Sequence, residues 1–471
     1  MRDKIIAVDL DGTLIYSDLT WESLLFALFE NPLKLMWLII KTMGSLNKLK
    51  EGLSQHFSCR VSPEKLPYNK EVLDFLMSKK KAGASLILAT ASHISQAEKI
   101  ASYLGFFDAI MASDHNVNLK SHEKAKALVK AFGAKKFIYL GNSKDDLPVW
   151  DAAGKAICVN CSQALFKRVS NTDKVLFSKR KSLVKEMFHL LRVYQWVKNT
   201  LLFLPLIAAH KIFNIALFAK TGVGFLSFSC VASSLYIIND LIDLNHDRSH
   251  PRKCHRPLAR GSVPIPIAFL LFGGLMGAGV ILALLTENRA FFNILILYGL
   301  SSFLYSIVLK RIALLDVLVL AFLFVVRIFA GQILSNIDLT HWFLLFSGFI
   351  FFSLALAKRS AEFRNTEKTE LSGRGYIQSD YPLILSLGVG ATLMSLVVFG
   401  LYLNSPDVMA LYKSPSYLWG VMPLMTYALT YVWLMTGRGK LHDDPILFLF
   451  KSRRMYFLGA LIFICTILAK F

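Results

Sequence analysis

Cysteine is scarce, six in 471 residues, and scattered. Cys158 and Cys161 make one CxxC with no second pair at zinc spacing, so the pair reads as structural, at a strand end. Nothing in the spacing suggests disulfides. No signal peptide is expected, because residues 1–14 hold a short strand and an acidic turn rather than a charged stretch leading into a long apolar run. The first domain is therefore expected to stay in the cytoplasm. Short internal repeats and low-complexity tracts are absent as well. Acid is in short supply, 32 Asp and Glu against 53 Lys and Arg, a net charge of +21. In a soluble protein that balance suggests nucleic acid. Here the cations cluster between apolar runs, where they hold cytoplasmic loops against anionic lipid, so the expected partner is a bilayer and no nucleic acid.

What the chain has in excess is apolar surface: 54% hydrophobic residues and a mean hydropathy of +0.48. The excess is uneven. Up to about Ser182 charged and apolar residues mix as in a globular domain. Beyond about Thr200, apolar runs of roughly 17–25 residues recur, the length that crosses a bilayer core. The division expected is a first domain over 1–180, a basic connector over 181–198 and a membrane domain over 199–471.

In the first domain, β-type runs at 4–10, 85–90, 109–111, 137–140 and 156–159 alternate with helical runs at 71–81, 95–103 and 122–132. This alternation implies an α/β doubly wound parallel sheet. The stretch from about 18 to 67 is helical and breaks the alternation, as an inserted cap does. Its portion at 32–43 is apolar enough to touch a membrane and too short to span one, which favours a core or cap helix. The membrane domain reads as an all-α polytopic bundle of about nine spans, centred near Pro205, Phe228, Gly274, Leu297, Leu320, Phe346, Leu393, Met425 and Phe463. One alternate set of loops carries Arg248, Arg252, Lys253, Arg256, Arg260, Lys310, Arg311, Lys358, Arg359, Arg364, Lys368, Arg374, Arg438, Lys440, Lys451, Arg453 and Arg454. The other carries little beyond Lys211, Arg289 and Lys413. That asymmetry places the first set and the N-terminal domain in the cytoplasm of a cell (inner) membrane protein, and an odd span count leaves the C-terminus outside.

Two acidic motifs carry chemistry. Val8-Asp9-Leu10-Asp11-Gly12-Thr13 follows a strand. Carboxylates two apart at a strand end can share Mg²⁺, one attacking phosphorus while the other moves a proton; the plainer reading is an Asx turn. Thr90 at the end of the second strand, Lys124 on the 122–132 helix and the Asn142–Asp146 turn come in the order that resembles the haloacid dehalogenase superfamily, its phosphoserine-phosphatase-like members in particular, over roughly residues 3–170. The resemblance implies Asp9 as nucleophile, Asp11 as acid/base, Thr90 and Lys124 (Lys120 as alternative) on the phosphoryl oxygens and Asp146 on Mg²⁺. Asn142 departs from it, since the family usually has an aspartate there.

The second motif is Asn239-Asp240-Leu241-Ile242-Asp243-Leu244-Asn245-His246-Asp247-Arg248. Asn239, Asp243 and Asp247 fall on one helical face, with Asp240 three before Asp243. Packed carboxylates beside a bilayer need a cation, and oxygen-only donors favour Mg²⁺, which in turn binds diphosphate; the bland alternative is a solvated acidic helix end. His250-Pro251-Arg252-Lys253-Cys254-His255-Arg256-Pro257 follows and supplies cations for phosphate oxygens. The string NDxxDxxxDRxHPxKxxRP resembles the first aspartate-rich motif of the UbiA-type prenyltransferase superfamily, over roughly 185–471. Members that alkylate aromatic rings carry a second aspartate-rich motif. Here Ala357-Lys358-Arg359-Ser360-Ala361-Glu362-Phe363 stands in its place, with two cations and one carboxylate. Together with the 192–199 segment, Tyr305, Lys310, Asp316 and Arg327, this resembles the decaprenyl-phosphate phosphoribosyltransferase branch. Arg327 has the alternative of a buried ion pair with Asp316, and Lys198 that of lipid-headgroup anchoring.

The resemblance implies phosphoribosyl transfer from phosphoribosyl pyrophosphate to a polyprenyl phosphate. Asp243 and Asp247 are the expected catalytic residues. Asn239, Asp240, Asp243 and Asp247 would bind the Mg²⁺ cofactor. Arg248, Lys253, Arg256, Lys198, Tyr305, Lys310, Arg327, Lys358, Arg359 and Glu362 would line the substrates. The alternatives are prenylation of an aromatic or quinone precursor, a lipid-phosphate hydrolase served by the first domain alone, and a non-catalytic anchor or transporter.

Overall fold

Ile5–Val8 (β1) is four apolar residues, and all but the first are buried. A strand with both neighbours parallel and both faces covered needs that unbroken run. Around it lie Ser85–His93 (β2), Ala109–Ser113 (β3), Ile138–Gly141 (β4), Lys155–Cys158 (β5) and Lys174–Leu176 (β6). Every pairing is parallel, in the order β3-β2-β1-β4-β5-β6. Ile6 faces both Leu86 and Ile138, so the chain leaving β1 emerges between the ends of β2 and β4. The strand order reverses there, where open α/β sheets place their ligands. Alternate side chains feed two cores: Ile6, Val8, Leu86 and Leu88 on one face, Ala7, Ile87, Ala89 and Tyr139 on the other. β6 is one strand more than the alternation foretold, and β2 runs on past Thr90 to His93 across an irregularity in register.

The coordinates are a computed structural model and describe residues 5–43, 45–57, 61–114, 117–170, 173–177, 182–364, 374–441, 445, 448–449 and 452–471. Lys4, Lys181, Lys368 and Lys451, which the sequence reading uses, lie outside them. Contacts group the chain into two units, residues 1–192 with 236–272, and residues 193–235 with 273–471.

In the first unit the expected cap is three helices, Leu19–Glu30, Pro32–Lys41 and Leu46–Phe57. Asp18 caps the first through its carboxylate, and Ala27, Leu35, Leu38, Leu53 and Phe57 make a small core of their own. Pro32–Lys41 is a cap helix: Leu35 and Leu38 enter that small core, while Leu33, Met36, Trp37 and Ile40 are exposed.

Among the described residues seven helices are long and apolar enough to cross a membrane: Ile215–Ile242, Ile265–Leu284, Arg289–Ile307, Leu315–Ser335, His341–Arg364, Gln378–Leu403 and Pro415–Gly437. The count among the described residues falls short of the expected nine at both ends. Around Pro205 the chain forms a 3₁₀ segment, Val193–Phe203, followed by the five-residue helix Leu204–Ala208. Around Phe463 lies the helix Arg453–Lys470, but Arg453, Arg454 and Lys470 shorten its apolar stretch below the ~20 residues a span takes. In the second unit, Trp433 Nε1 donates to Ser353 Oγ and Thr392 Oγ1 (3.0 and 2.9 Å). This bond set joins three helices through buried side chains.

Candidate functional sites

The loop after β1 carries Asp9 and Asp11. Asp9 is anchored by its own N–H, which donates to Leu140 O (2.9 Å). Lys124, on the helix His122–Phe132, reaches under the loop, and its Nζ donates to Asp9 Oδ1 (2.7 Å) and Tyr139 Oη (3.0 Å). Tyr139 Oη donates onward to Asp146 Oδ1 (2.8 Å). The other Asp146 oxygen accepts from the backbone N–H groups of Asn142 and Ser143, both at 3.0 Å. Asp9, Lys124 and Asp146 are all buried. Asp11 accepts from Leu19 N (2.9 Å), tying the cap's first helix to the loop, and from Ser92 Oγ (2.6 Å). Burial pushes the Asp9 carboxyl up to about 6, against the opposing charge of Lys124. Burial, with the nearby charge of Asp18, pushes Asp11 up to about 7.

These placements bring Asp9, Asp11, Lys124 and Asp146 together. Thr90 is fully buried and accepts from Ser92 N (3.0 Å). Lys120, the alternative to Lys124, instead pairs with Asp145 at the surface (3.1 Å). Asn142 leans over the loop: a Cβ on Gly12 would come within 2.0 Å of Asn142 Nδ2, and Gly12 sits at φ +74°. Only glycine fits both constraints. Two carboxylates and an amide suit a hard cation such as Mg²⁺, with Asn142 lowering the charge of the set. Sequence reasoning missed Tyr139 and Ser92, which no motif spacing marks.

At the second motif the helix Ile215–Ile242 passes through Asp243 into the short helix Leu244–Ser249, and the hydrogen bonds Asp243 N to Asn239 O (2.9 Å) and Asp247 N to Asp243 O (2.8 Å) continue the rise. Arg256 Nη1 bridges Asp240 Oδ1 (3.0 Å) and Asp247 Oδ2 (2.6 Å). Arg192 adds a second guanidinium on Asp240 (2.5 Å), and Lys253 Nζ stands 3.9 Å from Asp247 Oδ1. Among the described residues no three carboxylate, histidine or cysteine side chains converge as a metal cluster. Yet Asp247 Oδ1 is buried with no hydrogen-bond partner among the described residues, only the longer ion pair to Lys253, and such an oxygen beside Asp240 fits a cation site. Burial raises the Asp247 carboxyl, with Arg256 opposing. Asn239 and Asp243 are half-buried at the same helix end.

Arg248, expected on a phosphate, is placed against the cap. Its guanidinium forks onto Glu22 of the cap (3.0 and 2.5 Å), its Nε donates to Ala259 O (3.1 Å), and both partners of the ion pair are almost wholly buried. Glu22 went unnoticed in the sequence, where Arg192 counted only as part of the 192–199 segment and Arg260, which ion-pairs with Glu186, only as a loop cation.

In the second unit Arg359 is fully buried between Asp316 and Glu362, so it too is an internal ion pair and not a free phosphate ligand. Tyr376 Oη donates to Asp316 (2.5 Å), and Arg374 donates to Tyr305 Oη (2.9 Å). Arg327 does not pair with Asp316. It donates to Asn199 Oδ1 (2.8 Å) and Tyr298 Oη (2.9 Å). Lys198 Nζ lies 5.6 Å above the Phe324 ring. Lys310 and Lys358 are half-buried.

The family model for the UbiA prenyltransferase family matches residues 200–458. A protein of Sinorhizobium fredii whose name assigns no activity is 37% identical over 98% of this chain and 90% of its own length. A decaprenyl-phosphate phosphoribosyltransferase of Mycolicibacterium smegmatis is 34% identical over 48% of this chain and 73% of its own. Among solved structures, a haloacid dehalogenase family hydrolase of Salmonella enterica serovar Typhi aligns with 37% of this chain and 68% of its own, at 14% identity and a TM-score of 0.28. With seven apolar helices among its described residues and its aspartate-rich helix end, the chain is a multi-pass membrane protein that belongs to the UbiA prenyltransferase family.

Proposed function

We propose that the chain transfers 5-phosphoribose from phosphoribosyl pyrophosphate to a polyprenyl phosphate and releases diphosphate. The observation that carries this reading is the contrast between two polar clusters. At Asn239–Asp247 carboxylates keep an orphaned oxygen. At 357–363 the sole carboxylate, Glu362, is committed to Arg359. A site for one metal-bound diphosphate and one monophosphate needs the first cluster but not a second acidic one. The Mycolicibacterium relative's name points the same way.

Asn239, Asp240, Asp243 and Asp247 would hold Mg²⁺, which supplies charge neutralisation to the diphosphate when bound. Arg256 and Lys253 stabilise negative charge on the departing diphosphate. The lipid phosphate's oxygen attacks the anomeric carbon as the bond to diphosphate breaks, and the family resemblance makes Lys198 and Lys358 the candidates to hold that phosphate. Tyr305, Lys310 and Arg327 shape the acceptor side. The loop charges favour a cytoplasmic N-terminal unit and an outward C-terminus in the cell membrane.

A second step is favoured by the Lys124–Asp9 geometry. The transfer product carries a phosphate monoester. An Asp9 oxygen attacks its phosphorus, the bond to the ribose oxygen breaks, and Asp11 gives that oxygen a proton. Water then attacks the aspartyl phosphate and returns a proton to Asp11, releasing orthophosphate and restoring Asp9. Membranes holding the full chain, given labelled phosphoribosyl pyrophosphate and polyprenyl phosphate, test the reading by the label in lipid. Prenylation of an aromatic acid with phosphoribosyl pyrophosphate ignored would hand the function to the aromatic branch.

A further inference from the structure

The cavity over Asp9 is not built from the sheet domain and cap alone. It encloses about 1030 Å³, and beside Asp9, Asp11 and Lys124 its wall includes Arg260, Ser262, Pro264 and Pro266, all within the first unit. Those last four residues belong to the family-matched segment: Arg260, Ser262 and Pro264 lie in the loop that leads from the aspartate-rich helix end to the span Ile265–Leu284, and Pro266 in that span's first turn. Two independent contacts hold that loop in place. The Glu22–Arg248 ion pair, buried on both sides, pins the cap's first helix to the loop's base, where Arg248 also holds Ala259 O. At the crown, Gly261 stands at φ +74°, and a Cβ there would lie 2.6 Å from Tyr16 Cβ and 3.1 Å from its carbonyl carbon. The backbone of the loop is thus pressed onto the Asp9–Asp18 loop at a point where no side chain fits.

We propose that the 258–266 loop is a specificity element of the Asp9 centre, which takes a phosphate monoester carrying a second anionic group and an apolar tail, in preference to a small soluble phosphate. The inference rests on reading Asp9 as a phosphatase nucleophile. Volume supports it: drug-sized ligands fill clefts of roughly 300–1,000 Å³, so this cavity exceeds what a single sugar phosphate needs. Charge supports it too. Beyond Lys124 the wall carries Lys120 and Arg248, each paired with an acid of the same wall, Asp145 and Glu22, and two further cations: Lys50, whose Nζ donates to Ala91 O (3.1 Å), and Arg260, which pairs with Glu186 and keeps a buried Nε with no hydrogen-bond partner among the described residues. A phosphodiester between sugar and lipid is the second anion such cations recognise. The prolines face the same space with apolar rings and no N–H to satisfy.

The test uses the full chain in detergent micelles with three probes: a synthetic polyprenyl-phosphoryl 5-phosphoribose, ribose 5-phosphate and p-nitrophenyl phosphate, each read by orthophosphate release. The wild type is expected to prefer the lipid-linked probe over ribose 5-phosphate by roughly a hundredfold in kcat/KM, because remote contacts drive the reacting end. Gly261→Val, which lifts the loop, and Arg260→Gln, which removes its charge without changing its backbone, are each expected to cut that preference about tenfold or more. Equal rates on the lipid-linked and soluble probes, or a preference that neither variant moves, overturn the loop's role while leaving the phosphatase reading in place. No release from any probe overturns the phosphatase reading, and the inference with it.

Discussion

The two acidic centres of the first unit solve one electrostatic problem in different ways. Each gathers carboxylates that repel one another, and each places cations among them. At the sheet edge the cation is Lys124, drawn from 115 positions away in sequence and buried with Asp9. At the helix end the cations are Arg192 and Arg256, and Arg256 comes from the next turn of chain and stays partly open. The first centre is a closed network, Lys124 to Asp9 and through Tyr139 to Asp146. The second keeps an unsatisfied oxygen on Asp247. A closed network holds a nucleophile still, whereas an open one leaves capacity for an incoming ion.

The contrast can be broken by separating the two reactions. Asp9→Asn should lower orthophosphate release by roughly 10⁴-fold or more, the scale of losing a covalent nucleophile. Transfer should persist, so mass spectrometry of the lipid product should find the 5-phosphate accumulating. Identical products from wild type and variant leave the sheet domain without its proposed step. The tie between the two centres is the next largest effect. Glu22→Gln leaves Arg248 buried without its partner, a loss of roughly 3–5 kcal/mol in unfolding free energy by denaturant titration. Adding Arg248→Met should restore part of it, and a double variant as unstable as the single one would show that the charge pair is not the cause.

The open centre responds more moderately. Asp243→Asn keeps shape and removes one charge from the half-buried face, and labelled transfer should fall by at least ~10²-fold with hydrolysis of the supplied lipid product retained. Near-normal transfer in this variant removes the aspartate cluster from catalysis. The smallest effect sharpens the choice between two lysines. Lys120 and Asp145 are about half exposed, so Lys120→Gln should change stability by less than ~1 kcal/mol and orthophosphate release by less than about twofold. A large loss there would return Lys120 to the site in place of Lys124.

The aspartate-rich helix end was legible because its spacing is local. Asn239, Asp243 and Asp247 share a face through helical periodicity alone, and the hydrogen bonds through Asp243 confirm the continuous rise. The span count was legible only within limits. Apolar runs near Pro205 and Phe463 have the composition of spans, but Pro205 lies in a five-residue helix and Arg453, Arg454 and Lys470 crowd the last one.

What the sequence determined by itself is whatever repeats at short range: alternating strands and helices, apolar runs of membrane length, and acidic groups at helical spacing. A period needs only the geometry of one element, and each of these is a property of neighbouring residues. What the tertiary structure alone decided is which charges meet. Arg248 and Arg359 looked like phosphate ligands in the chain, and the fold spends both on buried carboxylates, Glu22 and Asp316, that lie 226 and 43 positions away. A buried cation takes whatever carboxylate the packing brings to it, because leaving it unpaired costs several kcal/mol, and no spacing along the chain encodes that partner.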